Sequence, residues 1–442
     1  MIKIQGRWVK RTLWCGVVAW SLFGYAGLGQ ANHHDTEEKE SPGDILTIDH
    51  PVPHASTVPA NAGQPVELFV RERVRGDRHG GKPRKAVLML HGASVPVLAG
   101  YQLKHERYDW SLELAKAGLD VFMLDFQGSG RSPRPKMDDP CNVPNAQQSL
   151  LIPNPLTATC PPSYPFQLIN AQSDWDELDT VVDFIRDYRG VDKIALVGWS
   201  HAAVRMGPYA VQHPEKVDSL FFLAPFFNNA MPAARQVGNT FLPPYKQLAN
   251  GSVSACTAQE LAAGTCPANV APSTLLLPGT PMTLRTRSIL IDELWVPEIH
   301  CANQIEDGIK DVVWKSVMEN DALGRTWGPP PDSPEGVMRV RSFALWGWNS
   351  RTAARISVPV LLIGGEFDTQ VPPAWVSELY SAIPNDVPKL LFKVACAGHS
   401  MPWERQSRFL HDISKQWLKD GAVEGFSNGS FFVDTEGNLL PQ

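Results

Sequence analysis

Positive charge is scarce in this 442-residue chain: 40 Lys and Arg face 46 Asp and Glu, a formal net charge of −6. Binding to nucleic acid or to an anionic membrane surface needs the opposite balance, so the deficit points away from both and toward a neutral or cationic substrate. No C-x-x-C or H-E-x-x-H spacing occurs, which removes the common zinc motifs. Gly128-Ser129-Gly130 has neither a third glycine nor a strand-to-helix setting with a later ribose-binding acid, so it reads as a loop and not as a nucleotide cradle. No metal and no cofactor is expected. No internal repeat is visible. A long unbroken apolar run is also missing, because Leu13 to Leu28 is glycine-interrupted and shorter than the roughly 20 residues a membrane-spanning helix needs.

That stretch follows Lys3, Arg7, Lys10 and Arg11 and precedes the small-residue site Gly29-Gln30-Ala31. Residues 1–31 therefore read as a secretory signal peptide, with an uncleaved anchor as the alternative. Cleavage removes those four positive charges and no negative one, taking the net charge from −6 to about −10. It also removes Cys15 and leaves Cys141, Cys160, Cys256, Cys266, Cys301 and Cys396. An even count in an exported chain favours disulfides. Cys141 with Cys160 and Cys256 with Cys266 are the natural local loops, a Cys301–Cys396 bridge is a guess, and the pairing stays open. The expected location is secreted or periplasmic, without stable membrane insertion after cleavage. Residues 32–60, opening on His33-His34-Asp35, read as a mobile polar leader.

Beyond the leader, apolar strands alternate with amphipathic helices, so the expected class is α/β: a mostly parallel sheet with helices on both faces. Ser173 to Tyr188 has the helical period, Val217 to Ala224 reads as a strand, and Pro402 to Leu418 reads as the last helix with Trp403, Phe409, Leu410, Ile413 and Trp417 as its buried stripe. Residues 61–224 form the first part of this core and 350–420 the second. Between them, residues 225–349 lose the alternation and run far longer than a plain connection, which is the mark of a cap or lid. Residues 421–442 are a C-terminal tail with an edge hairpin.

The chemistry begins at Gly198-Trp199-Ser200-His201-Ala202, which follows the strand-like Lys193 to Val197 and opens a helix. A serine on such a corner is held at strained backbone angles with its oxygen above the sheet, where it can act as a nucleophile. Alone the motif is weak. Three further segments stand in the order the chemistry requires. Pro359 to Asp368 is an apolar strand delivering a carboxylate, with Asp368 preferred over Glu366 because a returning loop follows it. His399 lies in the loop after the strand Leu390 to Val394. Downstream of Ala86 to Leu90 comes His91-Gly92-Ala93-Ser94-Val95-Pro96, where the N–H of Ala93, with that of His201, would form an oxyanion hole. His91 reads as a pin for that loop. The order Ser200, Asp368, His399 differs from those of chymotrypsin-like and subtilisin-like enzymes.

From about Glu67 to Leu418 the chain resembles the α/β-hydrolase superfamily, and more specifically a group of secreted bacterial hydrolases. The shared stretches are Leu90 to Pro96, Asp125 to Ser132, Met137 to Asn142, Ser173 to Asp176, Gly198 to Ser200 and Leu345 to Asn349. Where relatives tend to carry two glycines, this chain has Ala202 and Ala203, and the extra methyl must fit between helix and strand. Ser200 excludes the aspartate nucleophile of haloalkane dehalogenases and epoxide hydrolases. The resemblance implies an exported serine hydrolase that cleaves a carboxylic ester through an acyl-enzyme, with catalytic Ser200, Asp368 and His399. Amide or peptide hydrolysis, lactone opening and acyl transfer would use the same triad, and a non-catalytic binding protein is the alternative from another class. An aminopeptidase would need acids for the substrate amine, which Asp292, Glu293, Glu298, Glu306 and Asp307 could supply. Trp199, Ser94, Trp346 and Trp348 are the expected pocket residues, and for Trp295, Trp314, Trp327, Trp346 and Trp348 the alternative is that they hold the cap to the main domain. Pro133 to Phe166 would form a second rim. The expected partner is a small-molecule ester, with no nucleic acid, and the oligomeric state stays open.

Overall fold

Ala86-Val87-Leu88-Met89-Leu90 is apolar at every position, and a strand can bury both faces only in a sheet covered on both sides. It takes that place in the computed structural model, which describes residues 44–76, 84–328 and 336–442. The sheet has ten strands: β1 (Ile45–Ala55), β2 (Pro65–Arg75), β3 (Ala86–Leu90), β4 (Asp120–Asp125), β5 (Ile194–Trp199), β6 (Val217–Leu223), β7 (Val360–Gly365), β8 (Lys389–Val394), β9 (Gly429–Val433) and β10 (Leu439–Pro441). Their spatial order is β1-β2-β4-β3-β5-β6-β7-β8-β9-β10. Every ladder from β4 across to β9 is parallel, while β1, β2 and β10 join antiparallel at the two edges.

The period of two splits the core between the faces. Val87, Met89, Val121 and Met123 point to one side, against helices α1 (Trp110–Lys116) and α5 (Ser407–Asp420); Ala86, Leu88, Leu90 and Leu124 point to the other, against α2 (Ala171–Arg189), α3 (Ala203–Gln212) and α4 (Pro373–Ala382). Local chemistry sets the helix ends. Asn170 caps α2 by accepting from the Ser173 N–H at 3.1 Å, and Gly190 closes it at φ 64°, a left-handed angle that glycine adopts freely.

The expected signal peptide and residues 32–43 of the leader lie outside the described residues. The rest of the leader is a correction: residues 45–55 pair along their whole length with 65–75 as the edge strand β1. Pro51 and Pro53 suit an edge, where a missing N–H costs no ladder bond, and one solvent-facing side makes such a strand as polar as a tail. The last helix is shorter than its apolar stripe, because Met401–Trp403 form a separate turn around Pro402 and α5 starts at Ser407. The tail adds β9 and β10 to the sheet.

The cap region holds short antiparallel pairs, among them Met282–Arg285 with Met338–Arg341, and Phe343–Ala344 runs parallel to Ile169–Asn170. Three disulfides join Cys141 to Cys160, Cys256 to Cys266 and Cys301 to Cys396. Among the described residues no helix is long and apolar enough to cross a membrane.

Candidate active site

Ser200 sits between β5 and α3 at φ 58°, a conformation that costs a non-glycine residue on the order of 1–3 kcal/mol and persists only where neighbours enforce it. They do so here. A Cβ on Gly198 would lie 2.3 Å from Met206 Sδ and 2.6 Å from Ala202 Cβ, so the methyl of Ala202 fits because residue 198 has no side chain. The Ser200 carbonyl accepts from the Phe226 N–H at 3.1 Å. Gly92 approaches from the β3 loop, where a Cβ would come within 3.3 Å of Ser200 Cβ.

Opposite stands His399, whose Nδ1 donates to Asp368 Oδ2 at 2.9 Å. The other carboxylate oxygen of Asp368 accepts from the N–H groups of Gln370 (3.0 Å) and Val371 (2.7 Å), in the returning loop. Glu366 instead takes the Cys396 N–H at 3.1 Å. Burial lowers the His399 pKa, but the charge and hydrogen bond of Asp368, followed by the charges of Glu298 and Glu404, outweigh it and hold the imidazole above the ordinary histidine value.

Glu298 and Glu404 are both fully buried. One oxygen of Glu298 accepts from the His399 N–H at 2.7 Å and the other from the Thr369 N–H at 3.0 Å, so a cap residue ties the histidine loop to the acid loop. Burial, and then the Asp368 charge, raise its pKa. Glu404 accepts from the Gly398 N–H (2.9 Å) and Trp295 Nε1 (3.0 Å), and burial pushes its pKa up to about 7. The Cys301–Cys396 bridge joins the same two segments.

Beneath the elbow the charges are of the other sign. Asp174 accepts from Arg205 Nε at 2.7 Å and from Arg341 Nη1 and Nη2 at 2.8 and 3.0 Å, all fully buried or nearly so. Arg205 also donates to the carbonyl of His91 at 2.8 Å, and so braces the loop that carries Gly92 and Ala93. The nearby Glu177 does not restore the balance, since burial and the Asp174 charge push its pKa up to about 8. His91 is neutral in consequence: burial, then Arg205 and Arg341, drive its pKa well down, and its ring bonds the Gly92 carbonyl at 2.7 Å and the Phe126 N–H at 3.3 Å.

Ser200 and His399 face one cavity of about 310 Å³, which Ala93, His201, Trp199 and Ser94 also line. That volume lies at the small end of ligand pockets. His201 is stacked on Phe226 at 4.3 Å, and burial together with the Arg205, His399 and Arg285 charges takes its pKa to about 3. Two histidines thus share one cavity with opposite shifts, and only His399 has a carboxylate partner there. A serine on a strained corner, an imidazole oriented by a carboxylate and a glycine-bearing loop are together equipped for acyl transfer.

The family described as alpha/beta hydrolase fold matches the sequence over residues 85–261, which include Gly92 and Ser200. Over that segment the sequence matches the α/β-hydrolase family, and the fold is the α/β-hydrolase fold. No curated protein sequence matches the chain. Solved structures that are similar include an esterase from Thermogutta terrifontis (14% identity, covering 85% of this chain and 98% of that one, TM-score 0.45). Others are a bromoperoxidase from Bacillus anthracis (12%, 85% and 100%, 0.44) and 2-hydroxy-6-oxo-6-phenylhexa-2,4-dienoate hydrolase from a Rhodococcus strain (17%, 83% and 96%, 0.43).

Trp346 and Trp348 do not line the cavity, contrary to expectation. Both are fully buried in the core, Trp346 against Trp175 and Tyr245, Trp348 against Phe222 and Phe227. Trp295, Trp314 and Trp327 are buried as well and fasten the cap. Of the five acids considered for a substrate amine none lines the cavity, and Glu298 is consumed by backbone N–H groups. Sequence reasoning missed Arg205, Arg285, Arg341, the anchoring role of Asp174 and that of Glu298. A cation five residues beyond Ser200, on a helix buried at every position, was the available signal. Among the described residues, His105, Glu106 and Glu306 could together hold a metal ion, but none of them lines the cavity.

Proposed function

We propose that this protein is an exported serine hydrolase that cleaves a small carboxylic ester through an acyl-enzyme. The observation that carries the proposal is the 2.9 Å bond from His399 Nδ1 to Asp368, on a histidine that shares its cavity with the strained Ser200. With Nδ1 committed to Asp368, Nε2 is left to take the Ser200 proton as the serine oxygen attacks the ester carbonyl. The Asp368 carboxylate orients and stabilises the imidazolium. The backbone N–H groups of Ala93 and His201 receive the oxyanion, and the imidazolium returns its proton to the departing alcohol. Water then repeats the sequence on the acyl-enzyme. Ester cleavage is favoured over aminopeptidase action because, among the described residues, no acid lines the cavity to hold an amine. Three disulfides support export, since such bonds persist in oxidising compartments.

The test is fluorophosphonate labelling followed by turnover of p-nitrophenyl esters of increasing chain length, for the wild type and Ser200→Ala. Both signals are expected in the wild type and neither in the variant. Labelling that survives in Ser200→Ala would overturn the assignment.

A further inference from the structure

Net charge argues for a neutral or cationic substrate, but the cavity itself argues otherwise. Among the described residues none of its lining is acidic, and one is a guanidinium: Arg285, half-buried at the end of the Met282–Arg285 strand. Unlike Arg205 and Arg341, which share Asp174, Arg285 has no carboxylate partner among the described residues. Among the described residues its single side-chain acceptor is Ser94 Oγ at 3.0 Å. Burial depresses its pKa and no anion offsets that. A guanidinium carries five N–H donors in a fixed fork that matches a carboxylate. Holding one partly desolvated beside an apolar wall, with a neutral hydroxyl as its only partner, is costly unless a ligand completes it. The serine that accepts from Arg285 keeps its own O–H free to donate to the same anion. Ser94 directly follows Ala93, so an anion held there lies next to the loop proposed to receive the oxyanion.

We propose that Arg285 with Ser94 forms an anion subsite and that the preferred substrates are short esters carrying a carboxylate. This rests on the serine-hydrolase reading above and deepens it. The cavity of about 310 Å³ limits the acid and the ester to one short chain. The carboxylate can lie on the acyl side, as in a monoester of a dicarboxylic acid, or on the alcohol side, as in an O-acylated hydroxy acid; both present the same charge to Arg285.

The test compares kcat/KM for monoethyl adipate with ethyl hexanoate, and for 6-acetoxyhexanoate with hexyl acetate, in the wild type, Arg285→Met and Arg285→Lys. The wild type should favour the acidic member of at least one pair, and that pair identifies the side that carries the carboxylate. Arg285→Met should lower that acidic-to-neutral ratio by about 100-fold, the usual worth of a charged hydrogen-bond pair, and Arg285→Lys should restore part of it. A ratio unchanged in Arg285→Met, or a wild-type preference for both neutral members, overturns the subsite. Calorimetric titration of Ser200→Ala with monoethyl adipate and with 6-acetoxyhexanoate reads binding without chemistry. Binding that disappears on adding Arg285→Met supports the subsite even if no ester is turned over, and absence of binding by both acidic esters overturns it. Failure of the hydrolase reading would show instead as absent fluorophosphonate labelling.

Discussion

The two sides of the cavity floor are built from opposite charges. Around His399 stand Asp368, Glu298 and Glu404, with Glu366 on the Cys396 N–H; beneath Ser200 and its facing loop stand Arg205 and Arg341, and Arg285 lies in the cavity wall. Burial depresses both histidines of the cavity and the sorting then separates them: the Asp368 charge and hydrogen bond lift His399 above its ordinary pKa, while nearby positive charges add to the burial that takes His201 to about 3. Ester attack moves positive charge onto the imidazole and negative charge onto the carbonyl oxygen, so the acidic side suits the first and the basic side the second. Preorganised charge of this kind needs no rearrangement as the reaction proceeds.

The largest effect is expected from neutralising the acid nearest the base. Asp368→Asn should lower kcat by about 10⁴-fold, as loss of the orienting carboxylate does in serine-hydrolase triads generally, because the imidazole is left in the wrong tautomer. Steady-state turnover of a p-nitrophenyl ester measures it, and a loss under tenfold would remove Asp368 from the reaction. On the basic side, Asp174→Asn leaves two buried guanidiniums without their shared anion. A destabilisation of about 3–5 kcal/mol is expected from such a stranded charge, to be read from urea unfolding. Full stability in the variant would mean that the arginines find another anion.

A smaller effect sharpens the contrast. The charge on Glu298 helps to raise His399. Since the base must be neutral to accept a proton, the acid limb of the wild-type kcat/KM profile should have its midpoint above about 6.5, the ordinary histidine value. Glu298→Gln should move that limb to lower pH and reduce kcat roughly 10- to 100-fold, the range that loss of a partner orienting a metal-bound histidine causes, carried over here to a base held by its backbone N–H. A kcat loss with an unmoved limb would reduce Glu298 to a purely structural tie between loops.

Much of the parallel sheet was legible because its strands are apolar throughout and each candidate site residue follows one of them. Ser200, Asp368 and His399 all lie just beyond strand ends, where period and punctuation are both strong. What the sequence hid is tertiary. Asp174 looks like an acid placed for a helix dipole, and only its burial against Arg205 and Arg341 reveals an anchor. Glu298 resembles its exposed neighbours Asp292 and Glu293 in type and spacing, yet is fully buried. Trp346 and Trp348 have the composition of a pocket wall and the position of a core, and composition does not separate the two. The net charge is silent on the cavity for a related reason, since a sum over the chain does not report the field inside one cavity.

The Cys301–Cys396 bridge enters the histidine loop three residues before His399, and Glu298 grips the same loop from the same stretch of cap. That edge of the cap is riveted to the base. A swing of the cap about any axis that lifts residues 298–301 would drag His399 away from Ser200 and disarm the enzyme while it stood open.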